Sequence, residues 1–270
     1  MDALREARLK LSAAEEFNDA FDCLGVCVGE FSSNVILEHA RDMLCSLGLV
    51  ASCEGLGLHH EYSKRIADEI LRKTFFKNSC ILCFTRPETV GADALMWSHY
   101  GNKWKGVRLG FDLLYENHYP VTYDTTSPYA LSPIKYSTRR AVLDLSKIGD
   151  VENDPLYSRY FYDCLQTKAE SWKYESEWRL FCDEQYSLSL GGMRFWEFHK
   201  LLLRTIDLGP YMCAEEQGAI IRLARESYPH AEVRKVVLSE RDFDFSYKVV
   251  QSPIVAFPAK STFWIRGGNM

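Results

Sequence analysis

Apolar positions along the chain fall into stretches of two distinct periods. The stretch VILEHARDMLCSLGLV, 35–50, places Val35, Ile36, Ala40, Met43 and Leu47 at helical spacing, and Ser32-Ser33-Asn34 ahead of it supplies a capping side chain. HHEYSKRIADEILRKTFF, 59–76, repeats the pattern through Tyr62, Ile66, Ile70 and Phe75. AEEQGAIIRLARESY, 214–228, repeats it through Ala219, Ile220, Leu223 and Ala224. These three stretches predict amphipathic helices. A fourth, DPLYSRYFYDCLQTKAESW, 154–172, opens as a helix, with Pro155 in the first turn where its missing N–H costs nothing. Asp93 caps a short helix over ALMWSHYG.

The second period belongs to strands. SCILCFT, 79–85, is a continuous apolar run of strand length closed by Pro87, which predicts a central strand. GVRLGFD (106–112), SEWRLFCD (176–183) and VRKVVLS (233–239) predict further strands, and DCLGVCVGE (22–30) a strand interrupted by glycine. Residues 113–133 carry Pro120, Pro128 and Pro133 and predict loops around a short VTY strand. GGMRFWEFHKLLL holds another short element. No repeat and no Pro, Gly or Ser linker divides the chain. The pattern predicts a single α+β domain over 1–270, a central sheet of short strands flanked by helices.

Composition narrows the class without naming a function. Of 270 residues 47% are hydrophobic and 26% charged, which excludes a disordered or low-complexity chain. With 32 Lys and Arg against 37 Asp and Glu the formal net charge is −5, which speaks against a globally basic nucleic-acid coat. No run is long and apolar enough to cross a membrane, and MDALREARLKLSAAEEF lacks the apolar core of a secretory signal, so a cytoplasmic protein is expected. The nine cysteines, an odd number set mostly in apolar runs, are expected to be buried thiols. Cys80-Ile-Leu-Cys83 has zinc or redox spacing, but it lies within a predicted strand and no second CxxC or HxxxH accompanies it, so no metal is expected. Absence of GxGxxG, GxxxxGK[ST], GxSxG and HExxH disfavours dinucleotide folds of the usual kind, P-loop ATPases, serine hydrolases and zincins.

Residues 83–112, CFTRPETVGADALMWSHYGNKWKGVRLGFD, resemble the signature of the bacterial domain of unknown function 2971, in which CFS, MWxHY, KG and a hydrophobic strand ending FD follow one another. EFNDAFD, 16–22, is similar to that family's FNDPFD, with Ala20 in place of Pro. KAESWKYESEWR, 168–179, is similar to its K-x3-W-x-YE-x-E-x-R, and LLRTIDLGP with the helix after it to a later segment. The resemblance implies an α+β fold and a bacterial, intracellular setting, and no established reaction. Family members carry a strand-and-helix segment ahead of FNDPFD. Only 15 residues precede Glu16 here, so that segment is expected to be lost or replaced.

Three constellations can carry chemistry. In WKYESEWRLFCD, a strand would set Glu175, Glu177 and Arg179 on one face and Tyr174, Ser176, Trp178 and Leu180 on the other. Two carboxylates at i,i+2 perturb each other and suit acid-base work, and the pair is similar to the Glu-x-Glu of ADP-ribosyltransferases. Arg179 would hold either carboxylate or a phosphate. In MWSHYGNKWKG, His99 is a candidate base, Tyr100 and Trp104 are candidate stacking surfaces, and KWKGVR would suit a phosphate-bearing ligand. In FNDAFD, Asn18 and Asp19 either turn the chain, with Phe17 and Phe21 stapling the turn to the core, or enter a substrate pocket. The leading expectation is an intracellular enzyme acting on a nucleotide or nucleic acid, an ADP-ribosyltransferase-like activity with NAD as candidate substrate and, by analogy alone, an anti-phage defence or toxin setting. One alternative is a non-enzymatic module that meets a partner protein or ligand. Another is a metal-dependent nuclease built on Asp19, Asp22, Glu175 and Glu177.

Overall fold

The structure, a computed structural model, describes residues 2–29, 79–86, 92–113, 129–149, 155–182, 184–255 and 262–265. Its helices are α1 (Asp2–Arg5), α2 (Ala92–Tyr100), α3 (Pro155–Gln166) and α4 (Ala214–Ser227). The first strands are β1 (Arg8–Leu11), β2 (Val26–Val28), β3 (Cys80–Thr85), β4 (Val107–Phe111) and β5 (Tyr129–Pro133). Then come β6 (Lys135–Ser137), β7 (Val142–Asp144), β8 (Thr167–Ala169), β9 (Glu177–Cys182) and β10 (Leu188–Leu190). The last are β11 (Met193–Glu197), β12 (Leu203–Leu208), β13 (Glu232–Leu238), β14 (Phe245–Gln251) and β15 (Phe263–Ile265). The fold is α+β, as the hydrophobic pattern predicts. The helices expected over 35–50 and 59–76 and the VTY strand lie outside the described residues. No helix among the described residues is long and apolar enough to cross a membrane.

The chain folds as two compact units that alternate along the sequence. One comprises Met1–Leu11, Cys80–Pro133 and Lys173–Met270, the other Ser12–Ser79 and Ile134–Trp172. The first unit holds an eight-stranded sheet in the order β14-β13-β12-β4-β15-β3-β9-β5, with β1-β11-β10 as a second sheet. β12 and β13 run parallel, and α4 lies between them in sequence, the usual crossover for a parallel pair. The other contacts in the large sheet are antiparallel.

Register divides that sheet into two unlike faces. Directly paired residues on neighbouring strands point to the same side. Leu82 pairs with Leu180, Phe84 with Trp178 and Phe263 with Phe111, and these build the apolar face. Phe84 meets Phe111 and Trp196 edge-on at centroid distances of 6.0 and 6.3 Å. Ile220 and Ala224 of α4 join this core. The Tyr228 hydroxyl donates to the Leu4 carbonyl at 2.6 Å, which fastens α1, and burial pushes its pKa up to about 12. Thr85, Arg108, Gly110, Glu177, Arg179, Thr205 and Asp207 occupy the opposite, polar face by the same alternation.

The second unit pairs β2 with β7 and β6 with β8, both parallel. Its interior holds Cys27, Cys164 and Tyr160 around Gly25, where a Cβ would stand 2.0 Å from the Tyr160 hydroxyl, so only glycine fits. Burial raises the Tyr160 pKa. The predicted strand over 22–30 shortens to β2, and the helix predicted from 154 gives way after Gln166 to β8 and a 3-10 turn, Glu170–Glu175.

Candidate functional site

Glu175 and Glu177 do not share a strand. Glu175 ends the 3-10 turn, Ser176 reverses the backbone at φ 42°, and β9 begins only at Glu177. Both carboxylates are buried, Glu175 at 0% and Glu177 at 2% exposure. Each has its own partner. The Tyr100 hydroxyl, at the last residue of α2, donates to Glu175 Oε1 at 2.7 Å. Arg179 Nε donates to Glu177 Oε1 at 2.7 Å, and both of those side chains are fully buried. Thr85, across the strand pair from Glu177, donates its hydroxyl to the Glu175 carbonyl and clamps the turn. Arg179 is thus committed to a carboxylate inside the fold. Trp178, on the other face, packs edge-on against Phe263 at 5.3 Å.

The MWSHY helix divides its residues. Met96 and Trp97 are buried, Tyr100 is half-buried over the site, and His99 is exposed beside it at a ring distance of 6.2 Å. Asn102, Lys103 and Trp104 follow with φ of 48°, 55° and 65°, three successive residues in the left-handed region. Each costs about 1–3 kcal/mol and persists only where its surroundings dictate it. Here they do. The Trp104 ring lies nearly parallel to Trp97 at 5.9 Å and meets Phe245 edge-on at 5.6 Å. Its Nε1 donates to Ser98 Oγ at 3.1 Å, and its carbonyl accepts from Tyr211 N at 3.2 Å. Trp104 therefore uses its ring to hold the turn. The basic run also separates: Lys103 and Lys105 are exposed, whereas Arg108 is buried.

Arg108 belongs to a network that sequence reasoning missed. Asp207 of β12 sits between its register partners Arg108 of β4 and Arg234 of β13. Arg108 Nε donates to Asp207 Oδ2 at 2.9 Å and its NH1 to Asp93 Oδ2 at 3.0 Å. Arg234 donates to both Asp207 oxygens, at 2.6 and 3.0 Å. The Tyr247 hydroxyl joins both Arg108 and Asp93. Burial by itself would lower the Arg108 pKa, but Asp207, then Tyr247 and Asp93, outweigh it and hold it above the ordinary value. Burial likewise raises the Tyr247 pKa. The signal was present as charges inside otherwise apolar strands, Arg108 in VRLGF and Arg204 and Asp207 in LRTIDL.

A small pocket opens between Tyr100 and Arg108, walled also by Thr85, Met96, Trp97 and Ile265. Its cavity of about 20 Å³ has room for roughly one water. Glu175 stands behind this wall, bonded to two of the side chains that form it.

Asn18 and Asp19 belong to the second unit. Asn18 is exposed, and Asp19 Oδ1 accepts from Phe21 N at 3.0 Å, which makes the predicted turn. The staple does not form as expected, since Phe21 is 61% exposed, with the Arg140 guanidinium 5.0 Å from its ring. Asp22 instead pairs with Lys168 at 3.5 Å, both buried, and the Lys168 ammonium lies 4.8 Å from the Trp172 ring centre. The FNDAFD and KAESW motifs thus meet inside this unit. Among the described residues no group of three or more His, Cys, Asp or Glu is placed to hold a metal ion. Cys80 is buried and Cys83 half-buried in the sheet.

No curated protein and no solved structure matches the chain. A family model described as a protein of unknown function (DUF2971) matches residues 96–180, from Met96 in α2 to Leu180 in β9, the segment that brings Tyr100 to Glu175, and this match supports the family that the motifs point to.

Proposed function

We propose that the chain is an enzyme acting on a nucleotide, with NAD as its candidate substrate and ADP-ribosyl transfer as its reaction. One observation carries this reading: a fully buried carboxylate, Glu175, holds the hydroxyl of Tyr100 at the wall of a pocket. Burying a carboxylate is costly, and such groups concentrate where chemistry is done. Tyr100 is the group at the pocket and Glu175 polarises it. As the bond between ribose C1′ and nicotinamide breaks, nicotinamide leaves with the electron pair. The acceptor's attacking oxygen then loses its proton toward Tyr100, with Glu175 drawing the phenol proton in turn. Glu177 and Arg179 act as a positioning pair for the turn that carries Glu175. A defence or toxin setting belongs to the same proposal and rests on analogy alone.

The second reading, a non-enzymatic module, is favoured by one observation: Glu177 and Arg179 spend their charges on each other inside the fold. The test incubates the purified chain with NAD and measures released nicotinamide, alongside Tyr100→Phe and Glu175→Gln. Release by the parent chain, falling about 10²–10⁴-fold in Tyr100→Phe without a large loss of melting temperature, is the expected result. No release by the parent, or equal release by the variant, rejects the enzyme reading in favour of the module.

A further inference from the structure

Two hydroxyls on the wall of the pocket are committed in the same sense. The Tyr100 hydroxyl donates to Glu175 Oε1 at 2.7 Å, and the Thr85 hydroxyl donates to the Glu175 carbonyl. A hydroxyl has one proton to give, and a carboxylate or carbonyl oxygen only accepts. Toward an occupant of the pocket both hydroxyl oxygens therefore act as acceptors. The donor on the same wall is Arg108, whose NH1 gives one hydrogen to Asp93 at 3.0 Å and has a second to offer. Met96, Val107 and Ile265 add apolar wall.

Size and donor pattern together select one occupant. A water needs about 10–15 Å³ and two to four polar partners. The cavity offers about 20 Å³ and three. A hydroxyl on a protein side chain or a nucleic-acid sugar brings a carbon with it, for which no room is left. We infer that the acceptor in the proposed reaction is a water molecule held in this pocket, which makes the chain an NAD glycohydrolase rather than an enzyme that modifies a macromolecule. This rests on the reading of NAD as substrate. The nucleotide itself stays outside the cavity, with only ribose C1′ at its mouth. The water gives its hydrogens to Tyr100 and Thr85 and accepts from Arg108, which leaves a lone pair for C1′. Its oxygen bonds to C1′ as the bond to nicotinamide breaks, and nicotinamide leaves with that electron pair. One water proton passes to the Tyr100 oxygen while the phenol proton passes to Glu175, from which solvent takes it. The products are ADP-ribose, nicotinamide and a proton.

The test incubates the full chain with NAD labelled in its adenine ring, in the presence of added protein and RNA. Label should leave as free ADP-ribose in the same amount as the nicotinamide released, with none on the chain or on the added macromolecules. Methanol then serves as a rival acceptor one carbon larger, counted as methyl ADP-ribose by mass spectrometry. Its extra carbon should hold it at least about tenfold below its molar share against water. Val107→Ala widens the cavity and leaves Tyr100, Thr85 and Glu175 in place. It should raise the methyl ADP-ribose fraction at least about threefold, a ratio that does not depend on how much of the variant folds. Label on protein or RNA in place of free ADP-ribose would overturn the water acceptor and leave the reaction standing. Methanol used at its molar share, or an unchanged fraction in Val107→Ala, would place the attack outside the cavity and overturn the inference as well. Absence of nicotinamide release sinks the reaction itself, and the water acceptor with it.

Discussion

Replacing Asp207 by asparagine should unlock the large sheet. The carboxylate is fully buried and serves two guanidinium groups, one from each neighbouring strand. Asparagine keeps the shape and one acceptor oxygen, but its amide turns donors toward Arg108 or Arg234. Arg108, 8% exposed, keeps Asp93 at 3.0 Å, whereas Arg234, 19% exposed, loses a two-point contact. Removing one partner of a buried ion pair costs about 3–5 kcal/mol, because an uncompensated charge stays behind. At about 2–4 °C per kcal/mol for a chain of this size, melting should fall by roughly 6–20 °C. Thermal unfolding followed by circular dichroism reads the shift. Arg234→Met should cost less, since its charge leaves with it and the side chain already meets solvent. The Asp207→Asn/Arg234→Met double variant should then be less unstable than the two losses added, by about 1–3 kcal/mol. A melting temperature for Asp207→Asn within about 2 °C of the parent, or strict additivity in the cycle, would refute the argument that this row pins the strands.

Two further outcomes are expected. Trp178→Ala should cost about 2–4 kcal/mol by chemical denaturation, short of the full price of a buried tryptophan because Trp178 is only partly covered; a loss under about 1 kcal/mol would place it outside the core. His230 has its pKa lowered, chiefly by burial, so the unfolded chain binds its proton first. Its stabilisation is present above the unfolded value of about 6.5 and is lost as pH falls through the lower folded value. The drop in melting temperature between neutral pH and the acid side of that range should therefore be smaller in His230→Gln than in the parent, and an equal drop would contradict the shift.

Strands were legible where burial on both sides made a run apolar, as in β3, or where flanking turn residues framed a short run, as in β4 and β9. Helix α4 was legible because one face carries Ile220 and Ala224 while Glu215, Glu216 and Arg225 face water. β12 hid because LRTIDL buries both Arg204 and Asp207, and hydropathy counts each as a surface residue. β15 is three residues long and exists through its pairing with β3 and β4, a contact no local pattern records. The two units are each assembled from separated segments, which no local pattern records. At the site, the motifs were found but their geometry was not. A strand reading of YESEWR puts Glu175 and Glu177 side by side, and the left-handed Ser176 between them breaks that period. Trp104 reads as a platform for a ligand, yet three left-handed residues fold it back onto Trp97.

What the two faces of the large sheet cost is the deepest difference between them. The apolar face needs only volume and hydrophobicity, and many sequences would supply both. The polar face keeps the pairs Glu177–Arg179 and Asp207–Arg108–Arg234, together with the Tyr100–Glu175 bond, where well-packed hydrophobic residues would often be as stable or more so. Stability therefore does not account for that face. Position does: Asp207 holds its register partners Arg108 and Arg234, Glu177 holds Arg179 along its own strand, and the pocket opens between Tyr100 and Arg108. A face that keeps buried charge around that opening is better explained by what the opening must hold than by the fold it belongs to.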